Sequence, residues 1–303
     1  MSTITSSSFA KTLWPGVNAW YGAAYNEYPV EWTELFSQHK SARAWEEDVG
    51  LSGFGLARVK PEGAAIEYDT EKQAFTTRYV HVVYALGFNI TREIYEDDLY
   101  DIVGKRKAQG LAFSMRQTKE IVAANVYNRA FTSGYTFGDG QVLLASTHVN
   151  VAGGTWSNIL GTAADISEAA LEQAYIDIAG FTNDRGLKIA VRPEKIIVAK
   201  ENDFEVNRIL KTEYEVGTAN NTVNVVRGRF PGGVVINHYL TDADAWFLQT
   251  SVQKQEGLKY FERRGDEFEM DNDFDTENAK YKATARYSFG CTDVRALYGS
   301  PGA

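Results

Sequence analysis

The 303-residue chain is 44% hydrophobic and 23% charged, an ordinary globular balance that excludes a disordered chain. Its formal net charge of −9 argues against a protein whose main task is gripping phosphate backbones. A single cysteine, Cys291, leaves no internal disulfide and no cysteine-rich metal site, and is expected as a buried, inert thiol in a chain folded under reducing conditions.

No apolar run approaches the ~20 residues of a membrane span, and the start, MSTITSSSFAK, has neither a cationic nor an apolar signal region. A soluble protein not secreted by the ordinary route is expected. Residues 1 to about 47 hold four of the six tryptophans, Trp14, Trp20, Trp32 and Trp45, among Pro15, Gly16, Gly22 and Pro29. With no sustained period beyond a short helix near Glu31 to Lys40, this segment reads as an arm. Exposed indoles are unfavourable in a lone chain, so the arm must pack on its own body or on a neighbour.

From Gly50 to Gly63 the chain reads as a strand, GFGLARVK, closed by the turn Pro61-Glu62-Gly63. AAIEYD follows, and then FTTRYVHVVYALGFNIT, residues 75–91, in which Val80, Val82, Tyr84, Leu86, Phe88 and Ile90 alternate. Read as one strand, this stretch would reach roughly 55 Å where strands usually have ~5–6 residues. The expectation is a β-ribbon with an apolar base and a charged outer part (Arg58, Lys60, Glu62, Glu67, Asp69, Glu71, Lys72, Arg78).

Residues 92–134 carry Leu99, Ile102, Val103, Leu111, Met115, Ile121, Val122, Val126 and Tyr127 largely at helical spacing. A helix from Gly110 to Ser133, ending at Gly134, is expected, with Gly104 and Gly110 as kinks or interruptions upstream. Continuous from Glu93 it would run about 60 Å, whereas a globule of this chain length is roughly 50 Å across. The pattern then becomes α/β: a helix capped by Asp165 and Glu168, the buried strand KIIVA (195–199), a helix capped by Asn202 and Glu205, strands NVVRGRF and VVINHYL about the turn Pro231 to Gly233, and AWFLQT. Finally Tyr281, Ala283, Ala285, Tyr287 and Phe289 alternate with polar residues, a strand with one wet face.

A search for chemistry finds little. DNDFDTE (Asp271, Asp273, Asp275, Glu277) imitates the opening of a calcium loop, but Thr276 stands where Gly is needed and Lys282 where Glu is needed, so a solvated acidic turn is expected. His39, His81, His148 and His238 form no metal spacing, Ser146 and His148 have no third group to orient a base, and the glycines at 50, 53 and 55 lack a phosphate-loop lysine. No cofactor is expected.

The order of parts, arm, ribbon, long helix, α/β subdomain and returning antiparallel strands, resembles the major capsid proteins of tailed bacteriophages, with the Hong Kong 97-like α+β fold. The phrases YALGFNITREIYEDDLY, MRQTKEIVAANVYNRAF, TNDRGLKIAVRPEKIIV, YLTDADAWFL, DNDFDTENAKYKATARYSFG and YGSPGA carry the resemblance, over roughly residues 48–303. It implies an N-terminal arm (1–49), an extended ribbon or E-loop (50–92), a peripheral domain on a spine helix (93–163 and 256–303) and an axial domain (164–255). It further implies a structural protein that self-assembles into pentamers and hexamers, several hundred copies per shell, around double-stranded DNA held without sequence-specific binding. On that resemblance Trp14, Trp20, Trp32, Trp45, Arg58, Lys60, Glu62, Glu67, Lys72 and Arg78 are the expected subunit-interface residues, with Gly50, Gly53, Gly55 and Gly87 as hinges. The aromatic arm is unlike a cleaved scaffold, so a separate scaffolding protein is expected, beside a portal and a decoration protein; the location is the virion, and the host cytoplasm during assembly. A ribbon lysine joined to an asparagine occurs in this fold, but no local phrase around Lys60, Lys72, Asn272 or Asn278 carries that chemistry over. The alternatives are an encapsulin-like nanocompartment shell and a hydrolase with a metal at Asp271, Asp273 and Asp275.

Overall fold

The computed structural model describes residues 7–91, 93–94, 100–215, 222–272 and 278–303. In place of an irregular arm, the described residues open with helix α1 (Ser7–Glu27). Val17, Tyr21 and Ala24 recur at helical spacing and are buried in the core shared with helix α2 (Tyr100–Asn128). Burial of that face overrides the poor helix propensity of Pro15, Gly16 and Gly22.

The helix expected near Glu31 to Lys40 is instead a 3-10 turn, Trp32–Glu34, followed by strand β1 (Ser37–Lys40). The body, and not a local helix, satisfies its backbone. The Glu120 carboxylate accepts the N–H groups of Glu31 and Trp32 at 3.2 and 3.0 Å, Lys195 Nζ donates to the Glu34 carbonyl at 2.7 Å, and Gln249 Nε2 donates to that of Leu35 at 2.7 Å.

The single long strand expected over 75–91 is two. Strand β3 (Gln73–Val80) pairs with β2 (Trp45–Leu51), whereas β4 (Val82–Ile90) joins a different sheet. At the break His81 is buried and pinned, Nδ1 at 2.9 Å from Ser288 Oγ and Nε2 at 3.0 Å from Ser41 Oγ. The buried face changes parity at the break, from Phe75, Thr77 and Tyr79 to Tyr84, Phe88 and Ile90, and Val80 and Val82 are exposed, so the run of even-numbered apolar residues does not mark one face. Gly87 is no hinge: a Cβ there would lie 2.6 Å from the Tyr281 carbonyl oxygen, so glycine permits close pairing inside the sheet.

Helix α2 runs unbroken through Gly104 and Gly110 over 29 residues, about 43 Å, and ends at Asn128, short of Gly134; Leu99 lies outside the described residues. The chain then forms the short pair β5 (His148–Val149) and β6 (Thr155–Trp156), helix α3 (Glu168–Ala179), β7 (Pro193–Ala199), α4 (Asp203–Lys211), β8 (Val234–Asn237), β9 (Trp246–Thr250), the turn-like α5 (Gln253–Glu256), and β10 (Leu258–Asn272), β11 (Ala279–Cys291) and β12 (Leu297–Ser300). Helix α3 is capped by Ser167, whose hydroxyl accepts from the Ala170 N–H at 3.2 Å, and not by Asp165. Asn202 precedes α4, but its side chain donates to the Ala243 carbonyl and makes no cap. NVVRGRF is turn, not strand; its Asn224 side chain accepts the N–H groups of Val226 and Arg227.

One four-stranded sheet has the order β1-β10-β11-β4 and the other β12-β9-β7-β8. The second is a wall between two cores. Along β7, Ile197 and Ala199 face the core beneath α1 and α2, while Ile196 and Val198 face the core around α3 and α4; Phe247 against Trp246 and Leu248, and Leu297 against Tyr298, divide likewise. Strands buried on both faces are why these segments read as continuous apolar runs.

Trp32 was expected at a subunit interface, but its ring is buried in its own chain, 4.4 Å from the Tyr260 ring and 5.5 Å from that of Phe289. Trp32→Ala should therefore lower the stability of the isolated subunit by about 3–5 kcal/mol, read by chemical denaturation before any assembly; an unchanged midpoint would contradict the placement.

Candidate assembly surface

The ribbon is a true ladder only at its base, where β2 and β3 run in register from Trp45↔Val80 to Leu51↔Gln73 with a shift between Val49 and Leu51. The strands expected at 53–60 and 64–69 carry no ladder. Beyond Leu51, Ser52 N–H donates to the Lys72 carbonyl and Lys72 N–H to Ser52 Oγ, both at 3.0 Å, and Gly53 turns the chain at φ +69°. Farther out the two limbs are held by side chains: Glu71 takes the Gly53 N–H, Asp69 takes the Gly55 N–H at 2.7 Å, and Arg58 meets Glu67 at 3.1 Å before the turn at Pro61–Ala64.

Within the ladder the ribbon is riveted to the body through Asp48. Its Oδ2 accepts from Lys259 Nζ at 2.6 Å and from Thr292 Oγ1 at 2.8 Å; Lys259 Nζ also reaches Glu256 at 2.5 Å, and Thr292 shares a 2.6 Å hydrogen bond with Tyr79 of β3. Burial opposes the charge on Lys259, but its hydrogen bonds to Asp48 and Glu256 outweigh that cost and raise its pKa above 10.5. The buried Tyr79 ring lies where a Cβ on Gly290 would come within 2.7 Å, so β11 leaves a gap for it. A cavity of about 450 Å³ opens beside this root, lined by Thr77, Tyr79, Asn125, Arg129 and Phe137.

The residues expected at interfaces divide by position. Arg58, Lys60, Glu62, Glu67 and Lys72 are exposed on the outer ribbon. Trp45 stands at its base, partly exposed, with the Arg78 guanidinium 4.5 Å above its ring and Arg78 Nε bonded to Glu47 at 2.6 Å. Trp20 is half-buried against the first core, and Trp14 lies in α1 with its side chain outside the description. Sequence reading saw only the charges of the ribbon tip and missed its apolar residues: Leu56, Val59, Ile66 and Tyr68 are exposed there. The signal was present in AAIEYD, a short apolar run beside the turn. Val80, Val82, Val83 and Leu86 add an exposed apolar strip along β3 and the edge strand β4.

Polar clusters elsewhere hold the fold. His148 is buried with Nδ1 at 2.5 Å from Asp139 and Nε2 at 3.0 Å from Asn158 Oδ1, so both ring nitrogens are engaged while Ser146 faces solvent. Lys119 is buried under the rings of Trp32, Tyr260 and Tyr287, with Asp266 at 3.8 Å; burial lowers its pKa, and Tyr25 of α1 donates to the same Asp266. Cys291 is buried, and burial pushes its thiol well up. Asp273, Asp275 and Glu277 of the calcium-like stretch lie outside the described residues, and no described helix is long and apolar enough to cross a membrane.

Residues 73–300 match the family model for phage capsid protein. Among solved structures, the capsid of a native GTA particle matches with a TM-score of 0.55 at 16% identity, covering 89% of each chain. The procapsid of bacteriophage JBD30 matches with a TM-score of 0.55 at 13% identity, over 97% of this chain and 75% of that one. A virus-like particle from Pyrococcus furiosus matches with a TM-score of 0.54 at 10% identity, over 94% and 98%. No curated protein matches the sequence. The fold is thus the Hong Kong 97-like capsid fold, and the family match spans well over half of the chain. The chain belongs to the phage capsid protein family: it is a structural, non-enzymatic major capsid protein, a component of the virion. That match sets aside the hydrolase reading, and it favours a phage shell over a cellular compartment, since the Pyrococcus likeness shows fold alone.

Lys259→Ala would leave Asp48 and Glu256 without their shared cation. A loss of about 1.5–3 kcal/mol, the range for hydrogen bonds to charged groups, is expected, together with faster proteolysis in residues 51–73. The raised pKa of Lys259 means that its contribution is complete below pH 10.5 and fades only as pH climbs through the higher folded value. The wild-type ribbon root should accordingly resist protease equally at about pH 6 and about pH 9.

Proposed function

We propose that the ribbon tip lies across an adjacent subunit, and that subunits joined in this way form pentameric and hexameric rings closing into an icosahedral shell around double-stranded DNA. The observation that carries this reading is the exposure of Leu56 (79%), Val59 (94%), Ile66 (65%) and Tyr68 (93%) on a projection whose own chain offers them no cover. Four large apolar side chains on one narrow ribbon are a poor surface for a monomer, and aromatic and aliphatic anchors of this kind dominate obligate interfaces. Charged neighbours such as Arg58, Lys60, Glu62 and Glu67 then set register at the rim.

In the same reading the first core, with α2 as spine, is the peripheral domain, and the region around α3 and α4 is the axial domain pointing to the ring centre. Exposed Phe204 on α4 and exposed Val223 and Val225 supply that end with apolar contacts. The net charge of −9 suits a container that holds nucleic acid without gripping it. Assembly in the host cytoplasm, with a separate scaffolding protein and a portal, completes the proposal.

The test is to replace residues 54–70 by Gly-Gly, keeping Ser52, Lys72 and the ladder below them. The shortened subunit should keep its melting temperature and circular dichroism yet yield no closed shells by electron microscopy when expressed with its neighbouring genes. Normal shells from this variant would refute the role given to the ribbon.

A further inference from the structure

Hydrogen bonds and ion pairs described for residues 53–71 stay within the ribbon, with one exception among the described residues: Arg185. Its Nη2 lies 3.1 Å from Asp69 Oδ1 and also donates to the Thr70 carbonyl. The receiving side is organised for this contact. The same Asp69 carboxylate accepts the Gly55 N–H at 2.7 Å and the Thr70 N–H at 2.8 Å, so Arg185 meets the point where the two limbs of the ribbon are tied together. These three donors hold the carboxyl below its ordinary pKa, the backbone N–H of Gly55 contributing most. At Gly55 a side chain would intrude: its Cβ would sit 3.1 Å from Asp69 Oδ2 and 3.6 Å from Arg185 Nη1.

The donor side is rigid. Arg185 sits on a tight turn in which Asn183 Oδ1 accepts the N–H groups of Arg185 and Leu187 at 3.0 and 2.9 Å, with Gly186 at φ +78°. The next residue back, Asp184, is bound at 3.0 Å by the buried Arg295, which also donates to the Thr182 carbonyl and to Asn150 and lies 4.7 Å beneath the Trp156 ring. A side chain presented on so fixed a base loses less freedom when it binds.

We propose that Arg185 is a positioning residue for assembly: the 182–188 turn latches the ribbon of its own subunit at Asp69 and Thr70 and so sets the angle at which the tip meets a neighbour. The consequence for assembly rests on the ribbon being an assembly element; the latch itself does not. With its root fixed at Asp48 and its middle at Asp69, the ribbon is held at two points, and residues 56–67 lie beyond both.

The experiment compares wild type, Arg185→Ala, Arg185→Lys and Asp69→Asn, first as dilute unassembled subunits by hydrogen–deuterium exchange and then in assembly. Arg185→Ala and Asp69→Asn should speed exchange in peptides covering 53–71 by about two- to fivefold, the scale of one partly exposed ion pair, with Arg185→Lys intermediate and peptides covering 193–199 and 246–250 unchanged. Assembly of Arg185→Ala should be slower or give misshapen particles. Unchanged ribbon exchange overturns the latch whatever assembly does. Faster exchange with wild-type particles overturns the positioning role. If shells then still fail on excision of 54–70, only this inference has fallen; if the excised chain also assembles normally, the assembly reading has fallen with it.

Discussion

A two-stranded ribbon does not hold its own direction in water, so the direction of the outer ribbon depends on how its root is fixed. Asp48 does this by taking Lys259 from β10 and Thr292 from beyond β11 onto one carboxylate oxygen. Lys259 is nearly buried, and a buried cation with two acidic partners tolerates little displacement, because moving either partner strands a charge in a poorly solvated place. The ribbon therefore inherits its orientation from the sheet. Its outer limbs are tied by side chains and not by a ladder.

The body behind that root is built to be stiff. The β12-β9-β7-β8 sheet is a wall with a core on each side, so neither core can shift without disturbing the other. The Trp32–Lys40 segment locks the arrangement from outside, with Trp32, Leu35 and Phe36 in the first core while Glu34 and Leu35 carbonyls receive side chains from β7 and β9. An arm bound in this way belongs to its own subunit over that segment.

A capsid protein has to meet several neighbours with one surface, and the molecule separates the tasks. Rigid sheets and the α2 spine carry the fold, and apolar side chains are placed where the chain cannot cover them: the tip, the β4 edge and the outer face of α4. Such exposure would be a liability in a solitary enzyme and is expected of a subunit whose burial is completed by its copies.

Much of this was legible in the residues alone. The alternation from Tyr281 to Phe289 settled a half-buried strand, KIIVA a fully buried one, and the apolar series from Leu111 to Tyr127 the spine, because in each case the local period equals the period of burial. The phrases shared with phage head proteins carried the family. What the chain could not disclose by itself were decisions made by distant partners. The even-numbered apolar run through Val80 and Val82 hides a change of sheet, since both side chains are exposed at the join and the buried parity flips across His81. The helix in the first 27 residues has poor local propensity and exists through burial of Val17, Tyr21 and Ala24. Trp32 is as suitable for a core as for an interface, and only the arrival of Tyr260 and Phe289, more than 200 residues later in the chain, made it core. Local sequence determines which side chains want burial and at what period; which surface buries them is a property of contacts across the chain, and only the tertiary structure decides it.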